Sequence, residues 1–196
     1  MARQLMLDGD GLRVRDFSPE DMLAYRHWLA PEREWHLWDG PYFAKATAGD
    51  IDRIVSMEEE RARTLYVGGE LEWPRQRAVI ADRDTDQLIG TLSWYYESPE
   101  SDWRRVGMVI YDQARRGKGL GLDALRVWTS YLFDTTNVRR LDLATWSGNV
   151  AMCRVAEKLR WREEARFRQA REVRGEIHDS VVYGVLRSEW NGREAL

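Results

Sequence analysis

The sequence predicts a mixed α/β fold. Period-two apolar segments interleave with helical segments along the chain, and the last two strand segments flank Arg174-Gly175 as a hairpin. With 196 residues, 43% of them hydrophobic and 32% charged, the chain can bury one full core without staples. No repeat, low-complexity tract or Gly/Ser linker divides it, so residues 1–196 read as a single domain whose core runs from about residue 12 to about residue 190.

The first strand is expected at Leu12–Arg15. Ser18-Pro19-Glu20-Asp21 then reads as a helix start: Ser18 as cap, Pro19 in the first turn, Asp21 as the capping-box acid. Met22, Tyr25, Arg26, Trp28 and Leu29 carry the helical stripe to Pro31, and Glu32 to Ala48 is irregular and aromatic. A helix from Asp50 to about Leu65 turns Ile51, Ile54 and Val55 inward. Ala78–Ala81 and Leu88–Tyr96 are strands joined by Arg83-Asp84-Thr85-Asp86, and Arg105–Tyr111 is the next strand. A glycine-rich turn leads into a helix from about Gly119 to Phe133, then a strand at Arg140–Trp146. A helix from about Asn149 to Arg160 aligns Met152, Val155, Ala156 and Leu159 on one apolar face. Strands at about Glu164–Glu172 and Ile177–Leu186 close the chain.

Composition removes several classes of function. The single cysteine, Cys153, excludes an internal disulfide framework and a multi-cysteine metal site, and it reads as an ordinary helix residue. His27, His36 and His178 lack metal-ligand spacing, so no metal is expected. A net charge of −3 argues against a nucleic-acid partner recruited by overall charge. No long apolar run and no signal-peptide core in Met1–Asp10 predict a cytoplasmic protein without a membrane partner.

The informative segment is Gln113-Ala114-Arg115-Arg116-Gly117-Lys118-Gly119-Leu120-Gly121, between a strand and a long helix. Glycines let the backbone approach a ligand and aim its N–H groups outward, and a helix start favours phosphate. Arg115, Arg116 and Lys118 add mobile positive charge, against the alternative of a solvated basic turn. A P-loop is out because Gly119, not Ser or Thr, follows Lys118. Gly119-Leu120-Gly121-Leu122-Asp123-Ala124 matches a dinucleotide fingerprint, with Asp142 about 20 residues on. That fingerprint should follow its strand at once, whereas Asp112–Lys118 intervenes here.

Arg116-x-x-Gly119-x-Gly121 in this setting resembles motif A, [RQ]-x-x-G-x-[GA], of the GNAT acyltransferase superfamily. Asn149-Val-Ala-Met-Cys-Arg-Val-Ala-Glu157-Lys158-Leu159-Arg-Trp161 resembles the motif that follows it. Val173 to Trp190 is similar to the closing hairpin of the subgroup containing ribosomal-protein N-terminal and spermidine acetyltransferases. Two positions depart from the pattern: Arg160 stands for a glycine, and Ala156 for a tyrosine that in other members protonates the leaving thiolate.

The resemblance implies a mostly antiparallel sheet of about seven strands with a splayed pair, flanked by about four helices. Acetyl-CoA would lie between Arg105–Tyr111 and Arg140–Trp146, its diphosphate on the backbone of Arg116, Gly117, Lys118, Gly119, Leu120 and Gly121. Met108, Val109 and Ile110 would hold the pantetheine arm and polarise the thioester carbonyl, and Asn149 would reach the cofactor from the other side or simply cap its helix. The implied reaction is attack by a primary amine of a peptide N-terminus, polyamine or small molecule, and a homodimer is a family-level expectation.

An alkyl amine with a pKa of about 10.4 is mostly protonated at neutral pH, so a carboxylate must take a proton. Glu97 and Asp102 are the candidate bases, with the plain alternative of surface acids. Trp35, Trp38, Tyr42 and Phe43 would form an aromatic wall for the acceptor or merely pack an irregular loop. Ala156 and the lack of one obvious base also leave open a silent acyl-CoA-binding module.

Overall fold

The computed structural model describes residues 3–192. Its strands are β1 Met6–Asp8, β2 Leu12–Arg15, β3 Arg77–Asp82, β4 Leu88–Ser98, β5 Trp103–Ile110, β6 Arg140–Trp146, β7 Arg162–Val173 and β8 Glu176–Leu186. The helices are α1 Asp21–Leu29, α2 Ala48–Tyr66, α3 Leu120–Thr135 and α4 Val150–Lys158. One 8-stranded sheet has the order β1-β2-β3-β4-β5-β6-β8-β7. Its neighbours are antiparallel except for the parallel pair β5 and β6. The mixed α/β reading holds, with one strand more than expected. β1 is a short edge strand held only by β2, too brief to show a period of its own.

Two cores separate the faces. Leu125, Trp128 and Leu132 of α3, Ala156 of α4 and Leu159 just after it pack on Val14, Ile80, Leu92, Val106, Leu141, Leu143 and Val181. Leu125 and Leu132, both 0% exposed, each contribute about 1.5–3 kcal/mol relative to exposure. On the opposite face, Tyr25, Leu29, Ile51 and Val55 of α1 and α2 cover Val79, Ala81, Leu88 and Tyr111. Among the described residues, β6, β7 and β8 contribute nothing to this second core. No helix of the described residues packs there, and Ala144 is exposed although β6 is a central strand and its face neighbours Asp142 and Trp146 are buried.

Local chemistry sets the ends of these elements. Ser18 is not the cap of α1. The Asp21 carboxylate accepts the Ser18 N–H at 2.8 Å and pairs with Arg15 at 2.6 Å, so the helix starts at Asp21 without a side-chain cap. Thr47 and Asp50 form a reciprocal capping box that starts α2 earlier than expected. Arg174 (φ 55°) and Gly175 (φ 80°) make the left-handed turn that joins β7 to β8.

Helix α4 ends in a Schellman motif. The Trp161 N–H donates to the Ala156 carbonyl and the Arg160 N–H to the Glu157 carbonyl, both at 2.9 Å, with Arg160 left-handed at φ 60°. A side chain there costs about 1–2 kcal/mol, partly offset by the greater unfolded-state entropy of glycine. Arg160→Gly is therefore expected to raise the melting temperature by roughly 2–4 °C in a thermal scan.

Candidate active site

β5 and β6 pair only at Arg104 opposite Leu141 and Arg105 opposite Asp142. Beyond that point β5 stays paired to β4 as far as Ile110 opposite Gly90, and β6 to β8 as far as Trp146 opposite Ser180. The two parallel strands thus part towards their carboxyl ends and leave an opening through the sheet. The edge that β5 presents to it has a fixed polarity. Tyr111 donates its N–H to the Ile89 carbonyl at 2.9 Å, so strand alternation turns the backbone of Met108 and Ile110 to the opening. Val109, opposite Thr91, spends its backbone on β4, which removes it from the expected pantetheine contacts. The Ile110 carbonyl accepts from Arg116 Nε at 3.0 Å. Of the three predicted positions, Met108 is left with no acceptor or donor recorded for its opening-side backbone groups among the described residues.

The glycine turn lies at the end of β5. Gly117 (φ 73°) and Gly119 (φ 84°) are left-handed, and an added Cβ at either would meet nothing within 4 Å. The Arg115 and Arg116 N–H groups are bonded to Asp112 and Gln113 carbonyls, and Asp123 makes the first helical bond, to Gly119, at 3.0 Å. Among the described residues, no acceptor takes the N–H groups of Gly117, Lys118, Gly119, Leu120 and Gly121, and α3 has no side-chain cap. These donors, with the positive end of α3, form a cradle for an anion.

The expected mobile charge is narrower than the sequence suggested. Arg115 is paired with Asp82, whose carboxyl is held below its usual range by the Thr85 hydrogen bonds and then by Arg115. Arg116 reaches Glu34 at 2.6 Å and the Tyr111 carbonyl at 3.1 Å. Lys118 alone of the three has no ion pair among the described residues.

A 3-10 turn, Glu34–Leu37, straps the opening on the α1/α2 side. Glu34 ties it to Arg116 at the end of β5. The next residue, Trp38, ties it to β6 and α4, because its carbonyl accepts from Trp146 Nε1 at 3.0 Å and Asn149 Nδ2 at 3.3 Å. Arg174 from the β7–β8 turn adds a bond to the Leu37 carbonyl at 3.3 Å. Asn149 does cap α4, accepting the Met152 N–H at 3.2 Å, while its amide nitrogen serves the strap. Neither Glu34 nor Trp146 carried a local signal, since both act on partners far along the chain.

The predicted bases are both held in ion pairs. Glu97 is committed to Arg105 at 2.9 Å, and Asp102, in a left-handed turn, to Arg104 at 2.7 Å. Glu97, Arg105, Asp142, Arg140 and Glu164 form a chain of alternating charge across the sheet just below the opening. Its centre is Asp142, 0% exposed, which accepts from Trp103 Nε1 at 2.5 Å and Arg105 at 2.7 Å. The aromatic wall is also divided. Trp35 is buried in the second core against Tyr111. Trp38 and Tyr42 stand at the strap with Arg174 and Arg171 over their rings, at 5.4 and 4.5 Å, and Phe43 is exposed.

Among the described residues, no helix is long and apolar enough to cross a membrane, and no group of three or more His, Cys, Asp or Glu side chains could hold a metal ion.

Comparison with known proteins identifies the family and the fold. The family described as acetyltransferase (GNAT) domain matches residues 12–162. An uncharacterized N-acetyltransferase, p20, of Bacillus licheniformis is 22% identical over 183 residues, covering 92% of this chain and 94% of that protein. Another, YoaA of Bacillus subtilis (strain 168), is 23% identical over 182 residues, covering 93% and 97%. Among solved structures, the ribosomal-protein-S5-alanine acetyltransferase of Vibrio fischeri shares the fold at a TM-score of 0.71 with 16% identity, over 95% of this chain and 99% of that one. RimL, a ribosomal L7/L12 alpha-N-protein acetyltransferase solved in complex with coenzyme A, does so at 0.69 with 16% identity, over 93% and 98%.

Proposed function

This chain belongs to the acetyltransferase (GNAT) family, and from that premise we propose that it moves an acetyl group from acetyl-CoA to a primary amine by direct attack in a ternary complex. The observation that carries the reading is the parting of β5 and β6 beside a turn whose N–H groups from Gly117 to Gly121 have no acceptor among the described residues. In this reading that turn holds the diphosphate, Lys118 adds charge, and the backbone of Met108 guides the pantetheine arm. A strand N–H facing the thioester oxygen would stabilise the tetrahedral oxyanion by roughly 3 kcal/mol. The amine nitrogen bonds to the thioester carbon, the carbon–sulfur bond breaks, and sulfur leaves with a proton as the CoA thiol.

The acceptor reading is a peptide N-terminal amine. Arg171 and Arg174 already occupy the rings of Tyr42 and Trp38, which disfavours a polycation such as spermidine. An α-amine with a pKa of about 7.7–8.0 is also more readily deprotonated than an alkyl amine. The ribosomal proteins named for RimL and the S5 enzyme fit the same class.

Calorimetry is expected to show saturable binding of acetyl-CoA. At a concentration of about 100 Kd it adds about 2.7 kcal/mol of stability, a melting shift of roughly 5–11 °C. Thiol release should then appear with an alanine-initiated hexapeptide. The absence of both heat and a thermal shift at millimolar acetyl-CoA would overturn the reading.

A further inference from the structure

The strap carries an acid that neither the fold nor the ion-pair network uses. Asp39 follows Trp38, and its backbone N–H is bonded to the Trp35 carbonyl at 3.2 Å. Its side chain makes no hydrogen bond or ion pair among the described residues, while Glu34, Glu97, Asp102, Asp142 and Glu164 around the opening all have arginine partners. Asp39 remains open to solvent, yet protein crowds it, and this crowding pushes its carboxyl above the usual carboxylate range. It is close enough to Tyr111, at the end of β5, for its charge to add to the burial that raises that hydroxyl.

Position matters as much as partners. The glycine turn opens α3, on one face of the sheet, whereas the strap lies on the other, beside the part of it where no described helix packs and Ala144 is exposed. An acyl donor held at the turn and an amine arriving over Ala144 would meet at the opening that the strap spans. The charged and titratable neighbours are Tyr111 from β5, the Glu34–Arg116 pair, His36 within the strap, Arg171 and Arg174 from the hairpin, and His178 against Trp146. None of these cations cancels the effect of crowding on Asp39.

We propose that Asp39 is the carboxylate that binds the acceptor ammonium and takes its proton, an inference that rests on the acetyl-transfer reading above. The ammonium gives one proton to Asp39, the neutral nitrogen attacks the thioester carbon, and the departing thiolate takes up the second proton shed by nitrogen. Asp39 then releases its proton to water. A carboxylate with no arginine partner and a raised pKa is better matched to an amine than one locked in an ion pair.

The test compares the wild-type protein with Asp39→Asn and Asp39→Glu, using acetyl-CoA and an alanine-initiated hexapeptide. Asp39→Asn should lower kcat/KM at least about 100-fold while acetyl-CoA binding stays within about twofold by calorimetry, and Asp39→Glu should recover part of the loss. The wild-type rate should fall as pH drops through the raised Asp39 pKa, and Asp39→Asn should lose that limb while keeping the one due to the amine. An active wild type with an Asp39→Asn variant within about threefold of it overturns the Asp39 role and leaves acetyl transfer standing. A wild type that binds acetyl-CoA but acetylates neither this peptide, spermidine nor phenethylamine overturns both.

Discussion

Gly119→Val is expected to abolish tight acetyl-CoA binding in a protein that still folds. Gly119 sits at φ 84° immediately before α3, a conformation that costs an L-residue about 1–2 kcal/mol and is worse for a β-branched one. An added Cβ meets no atom of the fold within 4 Å, and the expected penalty is that of the backbone conformation. The turn relieves it by rotating, and rotation re-aims the N–H groups of Gly119 and Leu120. A hydrogen bond to a charged group is worth about 1.5–3 kcal/mol, so losing two such donors to a diphosphate costs about 3 kcal/mol or more, roughly 100-fold or more in Kd. Gly68→Val is the control. Gly68 has φ 80° and the same open surroundings but lies just after α2, away from the opening. Both variants should lose similar stability, and only Gly119→Val should lose acetyl-CoA affinity by calorimetry. Unchanged affinity in Gly119→Val would mean that the cradle lies elsewhere.

The parts of the site legible in the sequence are those whose physics is local. Gly117 and Gly119 are needed where the chain turns left-handed, and the turn shows itself without any knowledge of the rest of the fold. The α4 face and the Arg174-Gly175 turn follow from helical spacing and turn preference in the same way. The strap is the opposite case. Glu34 meets Arg116 across 82 positions and Trp38 meets Asn149 across 111, and no local pattern links them. Period-two reading assigns side chains to faces but cannot say which neighbour takes each amide, and it is the Tyr111–Ile89 bond that turns the Val109 backbone to β4. For Trp35 an irregular aromatic stretch offers no period to separate a pocket wall from loop packing, and the ring closes the second core against Tyr111. For Glu97 and Asp102 the sequence leaves base and surface acid both open, and it cannot show that Arg105 and Arg104 pair with them.

Asp142→Ala should be the most destabilising single change near the opening, because Asp142 holds the point from which the strands diverge. It faces Arg105 in the last β5–β6 register pair, is fully hidden, and binds Trp103, Arg105 and Arg140. Removing it leaves the Trp103 N–H and the Arg105 and Arg140 guanidiniums without their shared acceptor. Breaking a buried charge pair by deleting one partner typically costs about 3–5 kcal/mol, so the melting temperature should fall by roughly 6–20 °C. The relevant comparison is Asp142→Asn, which keeps an oxygen for Trp103 but no charge for the arginines and should fall between the two. Function should follow stability here for a geometric reason. With the vertex loosened, Arg105 loses its tie to β6 while keeping Glu97 on β4, so the width of the opening is no longer set, and acetyl-CoA affinity should weaken even below the melting transition. A melting temperature within about 2 °C of wild type would show that the Arg104–Leu141 pairing and the surrounding core hold the vertex without the buried carboxylate.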